Sequence, residues 1–205
     1  MRIENHELNP TQNYHLLIQS IIPRPIAWIL TANNEAVGGY NLAPFSFFTP
    51  VCSNPPTFVV SMGKKPSGEQ KDTFVNLQRD GRCVVHIASV EQLQALNNSS
   101  ATLAYGDSEI ERSELALVEQ SDGELPRLQD APIAFNCRYS QCVDVGANQQ
   151  HVVFIEAHSV EINEAVIVSQ DPRLVISAEK LSPLARLGGA DYAALGELFN
   201  LPRPE

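Results

Sequence analysis

The stretch "NLAPFSFFTPVCSNPP", Asn41 to Pro56, contains three phenylalanines and four prolines, separated by small polar residues. It is too apolar for an ordinary loop. The prolines interrupt it too often for one continuous strand, because proline cannot donate a ladder hydrogen bond. Two strand-like runs enclose it, "IAWILTAN" (26–33) and "TFVVSM" (57–62). We therefore expect an interrupted strand that belongs to a β-sheet.

The rest of the chain adds mostly strands. Strand patterns recur at "CVVHIAS" (83–89), "APIAFNCRYSQCVDV" (131–145) and "HVVFIEAHSVEI" (151–162), the last two around a turn at Gly146. Short helices are predicted for residues 11–22, with Tyr14, Leu17 and Ile21 on the apolar face, for 71–81, 90–98, and near 191–199. Residues 104–130 have no clear periodicity. This order predicts a mainly β (α+β) fold, an antiparallel barrel or sandwich with a few short peripheral helices, in one domain spanning residues 1–205.

The composition and net charge of the chain argue against two classes of protein, those that span a membrane and those that bind nucleic acid. The chain has 205 residues, 43% of them hydrophobic and 19% charged, which is typical of a globular protein. No apolar run approaches the ~18 residues that a membrane span needs, and the first residues lack a secretory signal, so we expect a cytoplasmic protein. The net charge of -10 argues against nucleic acid as a partner, because binding phosphate backbones requires a basic face.

The sequence offers no conventional catalytic or metal-binding motif. Cys52, Cys83, Cys137 and Cys142 form no zinc-type grouping, and the odd separation of the last two predicts opposite sheet faces. His86 lies within a strand and is interpreted as structural. There is no GxSxG, GxGxxG or Walker motif. We therefore predict no metal site and no protein-borne catalytic group, and expect that a bound cofactor supplies any reactivity.

The basic residues are distributed unevenly. Three of the four lysines, Lys64, Lys65 and Lys71, lie within "GKKPSGEQK" (63–71), directly before a predicted helix. A lysine cluster beside a helix N-terminus is a candidate anion site, although a solvated basic turn is the simpler alternative.

The order of the motifs resembles that of the flavin reductase-like family. "PRPIAW" (23–28), "NLAPFSFF" (41–48), "NPP" (54–56) and "KDT" (71–73) follow one another, and "PLARLGGADYAALGELF" (183–199) extends the resemblance towards the C-terminus. Members of this family bind FMN in a split β-barrel and form homodimers with the flavin near the interface. The resemblance thus implies an antiparallel split β-barrel, with the tail "RLGGADY" (186–192) suited to closing a site.

The resemblance also implies a cofactor site. On the phosphate side of FMN it places four residues: Arg24, Ser61, Lys71 and Thr73. On the isoalloxazine side it places Asn41, Ala43, Pro44, Phe45 and Ser46, and Asn76 is a further candidate. Trp28, Phe47 and Phe48 are expected in the core or at a subunit contact.

The implied activity is hydride transfer from NADH or NADPH to FMN, with electrons passed on to a small-molecule substrate or to a partner oxygenase. Two alternatives stay open. One is an FMN-binding electron carrier without a nicotinamide site, and the other is an FMN-dependent oxidase of a small molecule.

Overall fold

The structure is a computed structural model that describes residues 1–121 and 123–204. The α-helices are α1 (Pro10–Ser20), α2 (Asp72–Asp80), α3 (Leu93–Asn98), α4 (Glu109–Arg112) and α5 (Ala178–Leu181), and short 3-10 helices cover Asn5–Glu7, Val90–Gln92 and Glu164–Val166. The strands are β1 (Arg24–Pro25), β2 (Ala27–Ala32), β3 (Tyr40–Phe45), β4 (Phe48–Ser53), β5 (Pro56–Met62), β6 (Arg82–Ile87), β7 (Leu117–Val118), β8 (Arg127–Leu128), β9 (Ile133–Val145), β10 (Gln150–Ile162), β11 (Ile167–Ser169), β12 (Val175–Ile176), β13 (Ala185–Arg186) and β14 (Tyr192–Ala193).

Seven strands form one antiparallel sheet in the order β3-β2-β6-β9-β10-β5-β4. Its two edge strands, β3 and β4, follow each other in the chain with only Ser46 and Phe47 between them. The edges therefore meet without pairing, and the sheet is a barrel with a split at this point. The predicted antiparallel split β-barrel is confirmed.

The sheet buries both of its faces. Ile29, Val85 and Ile155 belong to the core inside the barrel, while their strand neighbours Leu30 and Val84 belong to a second core outside it. Because side chains alternate along a strand, each apolar run supplies both cores at once. This explains why the strand runs are so continuously hydrophobic.

The helices predicted for residues 11–22, 71–81 and 90–98 are confirmed as α1, α2 and α3. Asn9 and Gln12 form a capping box at the start of α1. Ile18 is the one buried residue of α1, whereas Tyr14 and Leu17 are about half exposed (52% and 49%), and Ile21, just after the helix, is 60% exposed. The predicted apolar face of α1 is thus an outer surface.

The predicted C-terminal helix is wrong. Residues 194–204 have no regular secondary structure, and Tyr192 instead pairs with Arg186 between β13 and β14. Leu198 and Phe199 remain exposed, so a helix here would have no buried face to stabilise it, and isolated short helices are marginal in water.

The two cysteines of β9 do not lie on opposite faces. Between the pairs Tyr139–Ile155 and Gln141–Phe154 the register skips Ser140, which makes a β-bulge. The extra residue reverses the alternation, so both Cys137 and Cys142 pack on the inner core. Across the described ranges, no helix is long and apolar enough to cross a membrane.

Candidate functional site

The split in the barrel creates a bend at Ser46 and Phe47. Pro44 precedes it on β3, where an edge strand tolerates the missing N–H. The carbonyl of Phe47 accepts a hydrogen bond from the Ser61 N–H at 2.8 Å, which ties the bend to β5. Phe48 then starts β4 and meets Phe58 edge to face, at 5.5 Å between ring centroids. The bend is therefore fixed in place although it belongs to no ladder.

The N-terminus of α2 lies beside this bend. The carbonyl of Lys71 accepts from the Phe74 and Val75 N–H groups, but the N–H groups of Asp72 and Thr73 have no acceptor among the described residues. Unpaired amides at a helix start carry partial positive charge and favour anions. The Thr73 hydroxyl accepts from Asn41 Nδ2 at 2.9 Å, which holds it in a fixed position.

Lys71 supplies the free cation at this point. Its neighbour Lys65 is neutralised by Asp72, at 2.7 Å between Nζ and Oδ1. Within residues 1–121 and 123–204, Lys71 has no such carboxylate, and its Nζ lies 5.9 Å from the centre of the Phe45 ring. Burial, and then the charge of Lys65, lower the pKa of Lys71. A half-buried, unpaired ammonium is stabilised by an anionic ligand.

Two adjoining clefts run along these features. The α2 cleft includes Lys71 and Thr73, and the bend cleft includes Ser46 and Ser61. They share Pro44 and Lys71, and together we call them the groove. Nine of the ten residues predicted from the sequence line it: Asn41, Ala43 and Thr73 in the α2 cleft, Arg24, Phe45, Ser46 and Ser61 in the bend cleft, and Pro44 and Lys71 in both. Asn41 and Ala43, predicted on the ring side, thus lie with Thr73, whereas Arg24 and Ser61, predicted on the phosphate side, lie at the bend.

Asn76 is the predicted site residue that the structure places elsewhere. It is fully buried on α2. Its Nδ2 donates to Thr31 Oγ1 and Asn33 Oδ1, and its Oδ1 accepts from Arg79 and from the Tyr105 hydroxyl. The side chain is thus satisfied within the protein and lines neither cleft, so the geometry gives it a supporting position beneath the site.

Arg24 lines the bend cleft, but its guanidinium is used internally. It donates to the carbonyls of Ile18 at 2.6 Å, Ile21 at 2.9 Å and Leu187 at 2.8 Å, and its Nε lies 3.5 Å from Ser46 Oγ. Burial is the main cause that lowers its pKa. Arg24 therefore joins α1, the C-terminal segment and the bend, and its contribution to the groove is to hold Ser46.

The C-terminal segment closes against α1 of the same chain. A Cβ on Gly188 would lie 2.7 Å from Gln19 Cγ and 3.2 Å from Gln19 Cα, so the backbone approach requires glycine. The tail covers one side of the bend cleft of its own chain, where Leu187 and Gly189 are lining residues.

Sequence reasoning missed the opposite wall of the α2 cleft. The loop after α3 contributes Ser100 and Thr102, and α4 contributes Glu109. Glu109 is buried, its Oε2 accepts from the Leu42 N–H at 3.1 Å, and burial raises its pKa. Glu109 falls in residues 104–130, which have no clear periodicity, so no sequence pattern indicated it. The loop could have been recognised from the polar run "NNSSAT" (97–102), which follows a predicted helix.

Comparison with known proteins agrees with this fold. The profile of the family described as "Flavin reductase like domain" matches residues 19–180. An uncharacterised protein of Halalkalibacterium halodurans is 34% identical over 206 residues, covering 100% of this chain and 97% of its own. The structure of nitrilotriacetate monooxygenase component B from Bacillus cereus superimposes with a TM-score of 0.89 at 34% identity, covering 98% of each chain. That of 2-nitrobenzoate 2-nitroreductase from Pseudomonas fluorescens gives 0.87 at 28% identity, covering 100% of this chain and 96% of the other.

The antiparallel split barrel with a groove at its split is thus the flavoprotein-type fold seen in flavin reductases and flavoredoxins. The chain belongs to the flavin reductase-like family, whose profile covers most of its length. This membership implies that the protein binds a flavin.

Proposed function

We propose that the protein is an FMN-dependent oxidoreductase in which NADH or NADPH reduces the flavin. The observation that carries this proposal is the groove itself, which joins an unpaired cation at a helix start to a fixed strand bend. A flavin mononucleotide has a phosphate at one end and a flat ring at the other. The two ends of the groove have the chemistry that these two parts require.

The residues present fit the phosphate. The Lys71 ammonium, the Thr73 hydroxyl and the free amides of Asp72 and Thr73 form a donor set without an internal anionic partner in the described part of the chain. Charge-assisted hydrogen bonds of this kind are the strong ones, and they position a phosphate by direction as well as charge. Asp72 and Glu109 are the nearby acidic groups. The ion pair with Lys65 offsets the charge of Asp72, and burial raises the pKa of Glu109 and so favours its neutral form.

The residues present also fit a flat ring. Pro44, Phe45 and Ser46 lie where β3 ends, so their backbone is not covered by a further strand. Phe45 is buried and provides an apolar floor, while Ser46 and Ser61 are small enough to allow close approach. When bound, flavin supplies the redox chemistry, accepting a hydride equivalent from the nicotinamide and passing electrons onward. The chain's own part is to orient the ring, limit its contact with water and keep the reactants near contact distance.

The comparisons support a reductase over the two alternatives. Component B of nitrilotriacetate monooxygenase is one part of a multicomponent oxygenase system and aligns over 98% of its length. We propose that this chain likewise delivers reduced flavin to a partner oxygenase. A nitroaromatic acceptor is a second candidate, favoured by the likeness to the 2-nitrobenzoate nitroreductase. The two flavoredoxin structures are 16% and 15% identical to this chain, a likeness that supports the fold alone and not the electron-carrier alternative.

A homodimer is part of the proposal. The face of α1 formed by Tyr14 and Leu17, with Ile21 beyond it, is apolar and 49–60% exposed. Tyr14 also lines the bend cleft, so a second copy docked on this face would lie next to the groove. Size-exclusion chromatography with light scattering tests this: Leu17→Glu should yield a monomer, and a wild-type monomer with bound flavin contradicts it.

The decisive experiment is spectroscopic. The purified protein is supplied with FMN, its visible spectrum is recorded, and it is mixed anaerobically with NADH and, separately, with NADPH. Bleaching of the flavin absorbance within seconds supports the reductase. A bound flavin that neither nucleotide bleaches contradicts nicotinamide-dependent reduction and favours the carrier. A protein that fails to bind FMN overturns the proposal.

A further inference from the structure

Three metal-ligand side chains meet at the turn end of the β9–β10 hairpin. Cys142 and Asp144 are two residues apart on β9 and therefore share a face. His151 on β10 pairs directly with Asp144. One ligand atom from each of the three lies within 4.8 Å of the others. We propose that this Cys142–Asp144–His151 cluster binds a divalent metal ion of the zinc type.

The distances suit a common ion. His151 Nδ1 lies 2.6 Å from Asp144 Oδ1, and Cys142 Sγ lies 3.8 Å from the same oxygen. Two atoms bound to one tetrahedral zinc ion lie about 3.3–3.7 Å apart, given zinc–ligand bonds of about 2.0–2.3 Å. Small side-chain movements therefore bring all three atoms onto one ion. On binding, the thiol gives up its proton to solvent and the sulfur ligates as thiolate.

The ring nitrogens of His151 have fewer hydrogen-bond partners than those of His86, the histidine interpreted as structural. Both ring nitrogens of buried His86 are used, one facing the Trp28 carbonyl at 3.0 Å and the other accepting from the Leu128 N–H at 3.0 Å. His151 is 5% exposed, yet its Nε2 has no partner among the described residues. Nε2 points away from the Nδ1 that faces Asp144, so an ion bound through Nδ1 does not use it. The proposal rests on the three ligand atoms that the cluster brings together.

The surroundings hold the ring while leaving access to the cluster. His151 stacks on Phe74 of α2, with 3.9 Å between ring centroids and 10° between planes, which fixes its orientation. The Asp144 side chain is 49% exposed, so a metal ion can enter from solvent and keep a coordination position for water. Sulfur, imidazole and carboxylate together favour zinc or a similar transition metal over magnesium or calcium.

Metal binding to the purified full-length chain tests the site without reference to flavin. After treatment with a chelator, the protein is titrated with zinc against a competing chromophoric chelator, and in a second sample with cobalt. We expect about one ion per chain and a thiolate-to-cobalt charge-transfer band in the near ultraviolet. Cys142→Ser should remove that band and weaken zinc binding at least tenfold, and Asp144→Asn should weaken it similarly.

Cys52→Ser is the matched control, because Cys52 is an exposed cysteine outside the cluster. It should bind zinc as the wild type does. Asp144 is exposed, so Asp144→Asn does not disturb the core, and weaker zinc binding by this variant reports loss of a ligand and not loss of folding. No zinc retained by the wild type, equal binding by Cys142→Ser, or loss of binding in Cys52→Ser would each overturn the proposal.

Discussion

Replacing Lys71 tests the phosphate end of the groove most directly. The Lys71 ammonium has no carboxylate partner in the described residues and stands at the start of α2, so Lys71→Ala removes a cation that the fold itself does not use. A hydrogen bond to a charged group contributes about 1.5–3 kcal/mol. The dissociation constant for FMN should therefore rise about 10- to 150-fold.

Riboflavin separates this effect from general damage, because it has the same ring and ribityl chain without the phosphate. Fluorescence titration of Lys71→Ala should give a riboflavin affinity within about twofold of wild type, since the variant removes no hydrogen bond to this ligand. Lys180→Ala is the matched control: Lys180 is exposed on α5 and lines neither cleft. Equal weakening for FMN and riboflavin, or an unchanged FMN affinity, would show that Lys71 does not bind the phosphate.

Three further predictions concern the scaffold. His86 has a pKa of about 4 in the folded protein against 6.5 in the unfolded chain, because burial disfavours its charge. Between these two pH values the unfolded state binds more protons than the folded state. About 3 kcal/mol of stability is therefore lost as the pH falls from 6.5 to 4. Urea unfolding across this pH range should show a smaller loss of unfolding free energy for His86→Gln than for the wild type. Ser99→Ala leaves the buried Trp28 Nε1, now bonded at 2.8 Å, without an acceptor and should lower the free energy of unfolding by about 1–3 kcal/mol. Arg24→Met removes donors from three carbonyls and should weaken FMN and riboflavin binding alike, unlike Lys71→Ala.

The local features were predictable because they follow from short-range chemistry. Gly81 ends α2 in the left-handed conformation, at φ 79°, as its position after an apolar helical run indicates. The turn at Gly146 has φ 73° and joins β9 to β10 as expected. The groove was located through the resemblance of ordered motifs. The residues of "KDT" line the α2 cleft together with Asn41 and Ala43, while Phe45 and Ser46 line the bend cleft.

The features that the sequence did not predict depend on contacts that are distant in sequence. The spacing of Tyr14 and Leu17 identifies a helix with an apolar face, but it does not say whether that face meets the core or another molecule. The partners of Asn76 are Thr31, Asn33 and Tyr105, which only the folded chain brings together. The Cys142–Asp144–His151 cluster depends on strand register, and the bulge at Ser140 reverses the alternation on which the sequence argument relied.

Because the groove lies at the split, the residues that line it are largely different from those that stabilise the barrel. A closed barrel would cover the β3 and β4 edges with hydrogen bonds and leave no free backbone beside the bend. Among the buried residues of the inner core, Phe45 is the one that lines either cleft, while Ile29, Val85 and Ile155 lie away from both. Substitutions at Lys71 therefore act on the ligand alone, whereas those in the core act on folding. The same separation predicts that substitutions in the loop and tail around the split leave the stability of the supporting sheet unchanged.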